Sequence, residues 1–311
     1  MEYPRKVTVC EVGLRDGLQN EKTLLGVSQK LELVRLIHES GIRLVEIGSL
    51  VSPKAVPQMA DTEQVFCGIP AEYGDTEYRV LVLNRRGIDR AAAAGMKKVK
   101  MTLSASRAHQ LANANTTPEE MLDKFKDTAA YARELGITLS GAIATSFGYP
   151  VEGKIPVSDI KRIADVFAEN GVSELSMSDT TGMANPEQVY GLCTEMKKSY
   201  PELAWNLHFH DAHGMGLANV LAAMEAGFSR FDASMGGIGG CPFAPNAAGN
   251  IATEDLVNMC VCMGIDTGAD TERCLETART AGRMLGRELS SATLRAGAVS
   301  YEPHPLPAVC G

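Results

Sequence analysis

The feature that most constrains this chain is a rhythm: short apolar or alternating runs recur eight times, each followed by a longer stretch of helical periodicity. The runs cover 6–12, 44–49, 78–83, 99–103, 138–145, 174–178, 205–210 and 230–234. Runs this short, with residues alternating between two faces or wholly apolar, read as strands. Between and after them, 28–40, 118–135, 157–169, 186–199, 216–226 and 272–285 carry helical patterns. Gly41, Gly136, Gly171 and Gly227 stand where four of these helices should stop, because glycine tolerates the left-handed backbone of a helix end. Strict alternation implies parallel strands joined by crossovers, and eight such units predict an α/β fold closed into a (β/α)8 TIM barrel rather than an open doubly wound sheet. No G-x-G-x-x-G follows the first run, so a dinucleotide fingerprint has no support there. The 311 residues read as a single domain, with the barrel over about 6–260 and a helical extension and Pro-rich tail over 261–311 that supplies C-terminal capping helices.

Composition narrows the function. A net charge of -8 argues against nucleic acid, which needs a basic surface to displace counterions. An anionic small substrate then requires local cations. Arg85, Arg86, Lys97, Lys98 and Lys100 are candidates for holding a phosphate-bearing ligand, the alternative being solvated surface charge. The eight cysteines lack both disulfide-scaffold spacing and any Cys-x-x-Cys pair, which fits reduced thiols in the cytoplasm. A charged start that runs straight into the first strand pattern gives no sign of a signal peptide, and no membrane association is expected.

Barrels place their chemistry at the carboxyl ends of the strands. Strand one exits into Arg15, Asp16 and Gln19, strand two carries Glu46, strand six leads into Asp179, and strand seven ends on His208 and His210. Residues two apart on a strand share a face, so both imidazoles project into the mouth, either as a hydrogen-bonded core pair or as metal ligands. Closure brings Asp16 toward them across strand eight, and Asn250 can add an amide oxygen. One carboxylate, two imidazoles and one carbonyl oxygen suit Mg²⁺ or Mn²⁺ better than zinc, which favours thiolates and tetrahedral closure. The glycine-rich stretch 236–242 reads as a mobile lid or a phosphate-approaching loop. Cys241 near its end is either a proton donor and acceptor or an incidental thiol.

Several motifs together resemble the 3-hydroxy-3-methylglutaryl-CoA lyase family, a group of metal-dependent barrels that break Claisen-type bonds. They are Gly13-Leu14-Arg15-Asp16-Gly17-Leu18-Gln19-Asn20-Glu21, Val51-Ser52-Pro53-Lys54 with Val56-Pro57-Gln58-Met59, His208-x-His210-Asp211, Gly239-Gly240-Cys241-Pro242, and Gly249-Asn250-x-Ala252-Thr253-Glu254-Asp255. The resemblance implies an acyl-CoA thioester substrate split into acetyl-CoA and a keto acid, and a homodimer or higher homo-oligomer. It implies that Asp16, His208, His210 and Asn250 hold the metal, Arg15 polarises the thioester carbonyl, Glu46 braces Arg15, and Cys241 exchanges the proton. Asp179 and Gln19 complete the polar shell, and His208 is also a candidate base for the hydroxyl proton. Ala212, His213, Tyr149, Leu50, Ala55 and Asn246 depart from the family pattern, and His213 and Asn246 are expected with Gln19 at the acyl group. These departures leave a second acyl group in play, citramalyl-CoA, for which His213 offers a carboxylate partner. A condensing synthase of the isopropylmalate or homocitrate kind shares Arg-Asp-Gly and His-x-His but not the Leu18-Gln19-Asn20-Glu21 continuation. A metal-binding scaffold without catalysis is the alternative outside enzymes.

Overall fold

The computed structural model describes residues 2–240 and 249–301. Eight parallel strands close on themselves, β1 (Thr8–Glu11), β2 (Leu44–Ser49), β3 (Glu77–Val82), β4 (Lys98–Ser104), β5 (Thr138–Ala144), β6 (Glu174–Asp179), β7 (Ala204–Phe209) and β8 (Arg230–Ala233). The barrel shuts where β1 pairs with β8 in the register Val9 to Phe231 and Cys10 to Asp232. Around it run α1 (Val27–Glu39), α2 (Thr62–Cys67), α3 (Arg85–Ala93), α4 (Arg107–Ala114), α5 (Pro118–Glu134), α6 (Val157–Glu169), α7 (Pro186–Ser199), α8 (Gly216–Glu225) and α9 (Thr253–Cys262). The expected extension is present as α10 (Thr271–Leu285), packed on α1 and α9, and α11 (Ala292–Ala296). The Asp255 carboxylate ties α11 down by accepting from Ser291 Oγ at 2.8 Å and from the backbone N–H groups of Ala292 and Thr293 at 2.9 and 2.7 Å.

Local chemistry sets the helix ends. Thr117 and Glu120 form a reciprocal capping box at the start of α5, with Pro118 at the first helical position, where a missing N–H costs nothing. At the start of α7 Asn185 Oδ1 accepts from Gln188 N at 3.1 Å, with Pro186 at the first helical position, and α10 stops on Gly286 at φ 69°. Apolar packing lies between the helices and the outer face of the barrel. The Phe125 and Phe167 rings meet edge to face at 4.3 Å between centroids, and Phe167 seats on Gly141 of β5, where a Cβ would lie 2.6 Å from the ring.

The inside of the barrel is different. Barrel interiors are usually filled by branched aliphatic side chains, whereas here Arg79, Glu174, Lys100, Glu46 and Asp232 are buried in it. Arg79 pairs with Glu174 and Glu77, and Lys98 reaches the same two carboxylates at 3.3 and 2.7 Å. Lys100 lies between Glu46 Oε2 at 3.0 Å and Asp232 Oδ2 at 3.3 Å. This corrects the surface reading of the basic cluster. Lys100 and Lys98 are consumed by internal carboxylates, and Lys97 is exposed just ahead of β4, at the end away from the mouth. Only Arg85, with its guanidinium 5.0 Å from the Tyr131 ring, and Arg86 stand on the mouth side, at the start of α3. Among the described residues no helix is long and apolar enough to cross a membrane.

Because Phe167 seals the contact between α5, α6 and β5, Phe167→Ala should lower unfolding stability by roughly 3–5 kcal/mol. Urea denaturation measures this, and a loss under about 1 kcal/mol would show that the seam closes without the ring.

Candidate active site and metal centre

The site begins in the turn after β1. Gly13–Gly17 forms a single π turn, with Gly17 N donating to Val12 O at 3.2 Å and Leu18 N to Gly13 O at 2.8 Å. Such insertions re-aim side chains and recur at functional sites. Gly13 and Gly17 are required by close approach: a Cβ on the first would lie 2.6 Å from Glu11 Oε1, and one on the second 2.6 Å from Ile238. The turn therefore presses against the loop after β8 and brings Arg15 and Asp16 to the mouth. Arg15 donates through Nε to Glu46 Oε1 and through Nη1 to Asp16 Oδ1, and Gln19 Nε2 donates to Asp16 Oδ1 at 3.0 Å.

From β7, the buried rings of His208 and His210 face each other with their Nε2 atoms 3.1 Å apart. Asp16 Oδ2 lies 3.8 Å from the first Nε2 and 3.6 Å from the second. His208 Nδ1 meets Asp232 Oδ2 at 3.1 Å, and since a carboxylate only accepts, Nδ1 carries the proton and Nε2 turns its lone pair to the cluster. Asn250 pairs with His210 through its backbone, and its Nδ2 donates to Asp16 Oδ2 at 2.9 Å and to Ile238 O at 3.0 Å. That leaves Asn250 Oδ1 buried with no hydrogen-bond partner among the described residues. Two imidazole nitrogens, a carboxylate oxygen and an orphaned amide oxygen make a donor set for a divalent cation. The 3.1 Å between the two imidazole nitrogens is close to the separation of neighbouring ligands with bonds of about 2.1 Å, and Asp16 Oδ2 stands slightly farther off.

Charge inside the site is held by opposite charge. Burial alone would raise the Asp16 carboxyl, but Arg15, His210 and His208 hold it well below the usual carboxylate range. Burial likewise opposes the charge on Glu46 and on Asp232. Arg15 and Lys100 bring the first down, and Lys100, His208 and Asn206 bring down the second. The mouth is a cavity of about 360 Å³ whose lining includes Arg15, Asp16, Lys100, His208, His210 and Asp232.

Asp179, near enough to His210 to feel its charge, and His213 stand back from the cavity lining. Asp179 is fully buried and accepts from the backbone N–H groups of Met183 and Ala184 at 2.9 and 3.1 Å, so it holds the turn after β6 and does not line the cavity. Burial pushes its carboxyl up to about 6. His213 is exposed in the turn after β7, outside the cavity lining. Cys241 and Asn246 lie outside the described residues.

Sequence reasoning passed over Asp232 and read Lys100 as a ligand-binding or surface cation, although both occupy inward positions of strands whose neighbours Val99, Met101, Phe231 and Ala233 are apolar. It also passed over Glu11 and Glu254. Glu11 accepts from Gly13 N at 2.7 Å, Met235 N at 3.1 Å and Thr253 Oγ1 at 2.6 Å, clamping the π turn to the loop after β8. Glu254 accepts from Gly236 N at 3.0 Å in the same loop.

Fold and site define a class: a closed (β/α)8 barrel with a donor cluster suited to a divalent cation beside an arginine at the carboxyl ends of its strands. The HMGL-like family model matches residues 6–281. The chain is 38% identical over 295 residues to hydroxymethylglutaryl-CoA lyase YngG of Bacillus subtilis, covering 95% of this chain and 98% of that one. It is equally 38% identical over 303 residues to (R)-citramalyl-CoA lyase of Chloroflexus aurantiacus, covering 94% and 95%. A solved HMG-CoA lyase from Acinetobacter baumannii, in complex with coenzyme A and 3-methylmalate, superposes with a TM-score of 0.91 at 39% identity over 99% of this chain and 100% of that one. The chain belongs to the HMG-CoA lyase family and is a carbon–carbon lyase.

Glu254 gives a signed pH effect. Burial lifts its carboxyl from 4.5 to about 7, so the folded state holds the proton more tightly than the unfolded chain. Its contribution to stability is full below about pH 4.5 and is lost as pH rises through about 7, a cost of about 3 kcal/mol. Glu254→Gln should match the parent near pH 4.5 and exceed it at pH 8, as read by denaturant melts. Parallel pH profiles for the two proteins would rule this out.

Proposed function

We propose that this chain cleaves 3-hydroxy-3-methylglutaryl-CoA to acetyl-CoA and acetoacetate, with Mg²⁺ or Mn²⁺ in the centre. The observation that carries the reading is the adjacency of Arg15 and Asp16: one turn delivers a guanidinium and a metal-binding carboxylate side by side to the same cavity. A retro-Claisen cleavage needs that arrangement, because negative charge grows on two oxygens a few bonds apart.

Asp16, His208, His210 and Asn250 would hold the ion, which supplies Lewis acidity that makes the 3-hydroxyl easier to deprotonate. The C2–C3 bond breaks, its electron pair becomes the thioester enolate, the C3 oxygen loses its proton to become a carbonyl, and C2 takes up a proton. Arg15 holds the thioester oxygen on which the enolate charge collects, and Glu46 fixes the angle of its guanidinium. Cys241 would deliver the proton to C2, a role taken from the family motif. His208 has Nδ1 on Asp232 and Nε2 turned to the cluster, which supports its role as a ligand and leaves no nitrogen to accept the hydroxyl proton.

A second reading keeps the mechanism and takes citramalyl-CoA, giving pyruvate. It is favoured by the equal 38% identity to the Chloroflexus enzyme. Assays of both thioesters with Mg²⁺ or Mn²⁺ decide between them, and release of no keto acid from either would leave a metal-binding scaffold. The reading includes one lyase domain per chain and a homo-oligomeric assembly; the free thiols among the described residues support a reducing, cytoplasmic setting.

Removing a ligand and removing the charge stabiliser should fail differently. His210→Ala should weaken Mn²⁺ binding and activity together, and unchanged affinity by calorimetry would exclude the ligand role. Arg15→Met should instead cut turnover at saturating metal by a factor on the order of 10² to 10³, comparable to losing one oxyanion donor. Near-parent turnover would mean that another group holds the enolate oxygen.

A further inference from the structure

Lys100 lines the cavity, yet no step of the cleavage uses it. It leaves β4 toward the barrel axis. In the closed ring of eight, β8 stands four strands from β4, on the far side, and β2 stands two strands away. The Lys100 ammonium nevertheless meets a carboxylate from each, Glu46 Oε2 at 3.0 Å and Asp232 Oδ2 at 3.3 Å. Only a long side chain crossing the interior can bridge strands placed in this way. Lys98, two residues earlier, serves a separate pair, Glu77 and Glu174. Among the described residues the ion-pair partners of Glu46 are Arg15 and Lys100, and those of Asp232 are Lys100 and His208.

Each carboxylate divides itself between this ammonium and a working group of the site. Glu46 gives one oxygen to Lys100 and the other to Arg15 Nε. Asp232 Oδ2 accepts from Lys100 and from His208 Nδ1, while its Oδ1 accepts from Asn206 Nδ2 at 2.7 Å. A carboxylate pinned by a fixed ammonium has fewer ways to turn, so the lone pairs it offers Arg15 and His208 keep their direction. Without the ammonium, two anions sealed from water would lose a partner each, and a buried charge in that state rearranges or takes up a proton. Burial alone would lower the pKa of Lys100, but Asp232 and Glu46 hold it above the ordinary lysine value, so the side chain stays charged.

We propose that Lys100 is a positioning residue that sets the Arg15 guanidinium through Glu46 and the His208 imidazole through Asp232, so that one axial ammonium aligns the enolate-binding group and the metal centre together. Its action on Arg15 rests on the lyase reading, whereas its action on the metal centre is testable without it.

The experiment uses Lys100→Ala, which removes the ammonium and opens a slot, reached from the cavity, that propylammonium can fill with the same charge. Mn²⁺ affinity by calorimetry should fall roughly 10- to 100-fold, and turnover of 3-hydroxy-3-methylglutaryl-CoA at saturating Mn²⁺ should fall by a similar factor, the usual effect of losing a group that orients a metal ligand. Propylammonium should restore a large part of both with a saturating dose dependence, and propan-1-ol, of similar size but neutral, should restore neither. A role limited to filling the core would respond to the two additives alike or to neither, and that result would overturn the proposal. A rise in KM with turnover and Mn²⁺ affinity unchanged would also overturn it, marking Lys100 as a group that touches the substrate. A fall in only one of affinity and turnover would refute the joint alignment. Should the parent cleave neither 3-hydroxy-3-methylglutaryl-CoA nor citramalyl-CoA, the lyase reading falls, and the Mn²⁺ affinities with the two additives still decide the action on the metal centre. If Lys100→Ala does not fold, Lys100→Met, which keeps most of the volume and loses the charge, should show the same joint loss, and parent-like affinity and turnover in it would overturn the role.

Discussion

The ammonium of Lys100, fixed between Glu46 and Asp232 inside the barrel, is the interaction on which both halves of the site depend. Glu46 orients Arg15, and Asp232 orients His208. Without a cation between them, two carboxylates sealed from water would take up protons, and each would lose part of its grip. Burying such charges brings little net stability, because desolvation offsets most of the attraction. Their return is geometric: Arg15 and His208, proposed above to meet the enolate and to hold the metal, are set by one internal network, not by two independent loops.

A second tie acts above it. Glu11 grips the backbone at Gly13 and at Met235, so the turn carrying Arg15 and Asp16 and the loop that continues toward Cys241 share an anchor. The glycines of that turn let the two segments approach more closely than any side chain would allow. The arrangement follows the usual division of labour in barrels, with strands providing the rigid frame and loops the chemistry.

Much of this was legible in the sequence. Period-two and helical patterns are read directly by burial, so the eight strands and the closed architecture followed from local pattern alone. The His208 and His210 pair was visible for the same reason, since alternation on a strand fixes a shared face. The helices α2, α3, α4, α9 and α11 were not named, because short segments such as Thr62–Cys67 carry too few turns to establish a period. Lys100 was misplaced for a different reason. A lysine is expected at the surface, and only the facing carboxylates of β2 and β8, remote in sequence, make its burial tolerable. Asp179 lay in the right loop, yet nothing in the sequence indicated that its carboxylate would be spent on backbone N–H groups.

The molecule thus separates two jobs that many barrels combine. Stability comes from the apolar seam between the helices and the outer face of the sheet, where Phe125, Phe167 and Gly141 interlock. The inner face, relieved of that duty, can be filled with charge. A substitution at an inward position of β4, β5 or β6 would alter the cavity lining without touching the seam, whereas Asp16, His208 and His210 are tied to one another and to Asp232.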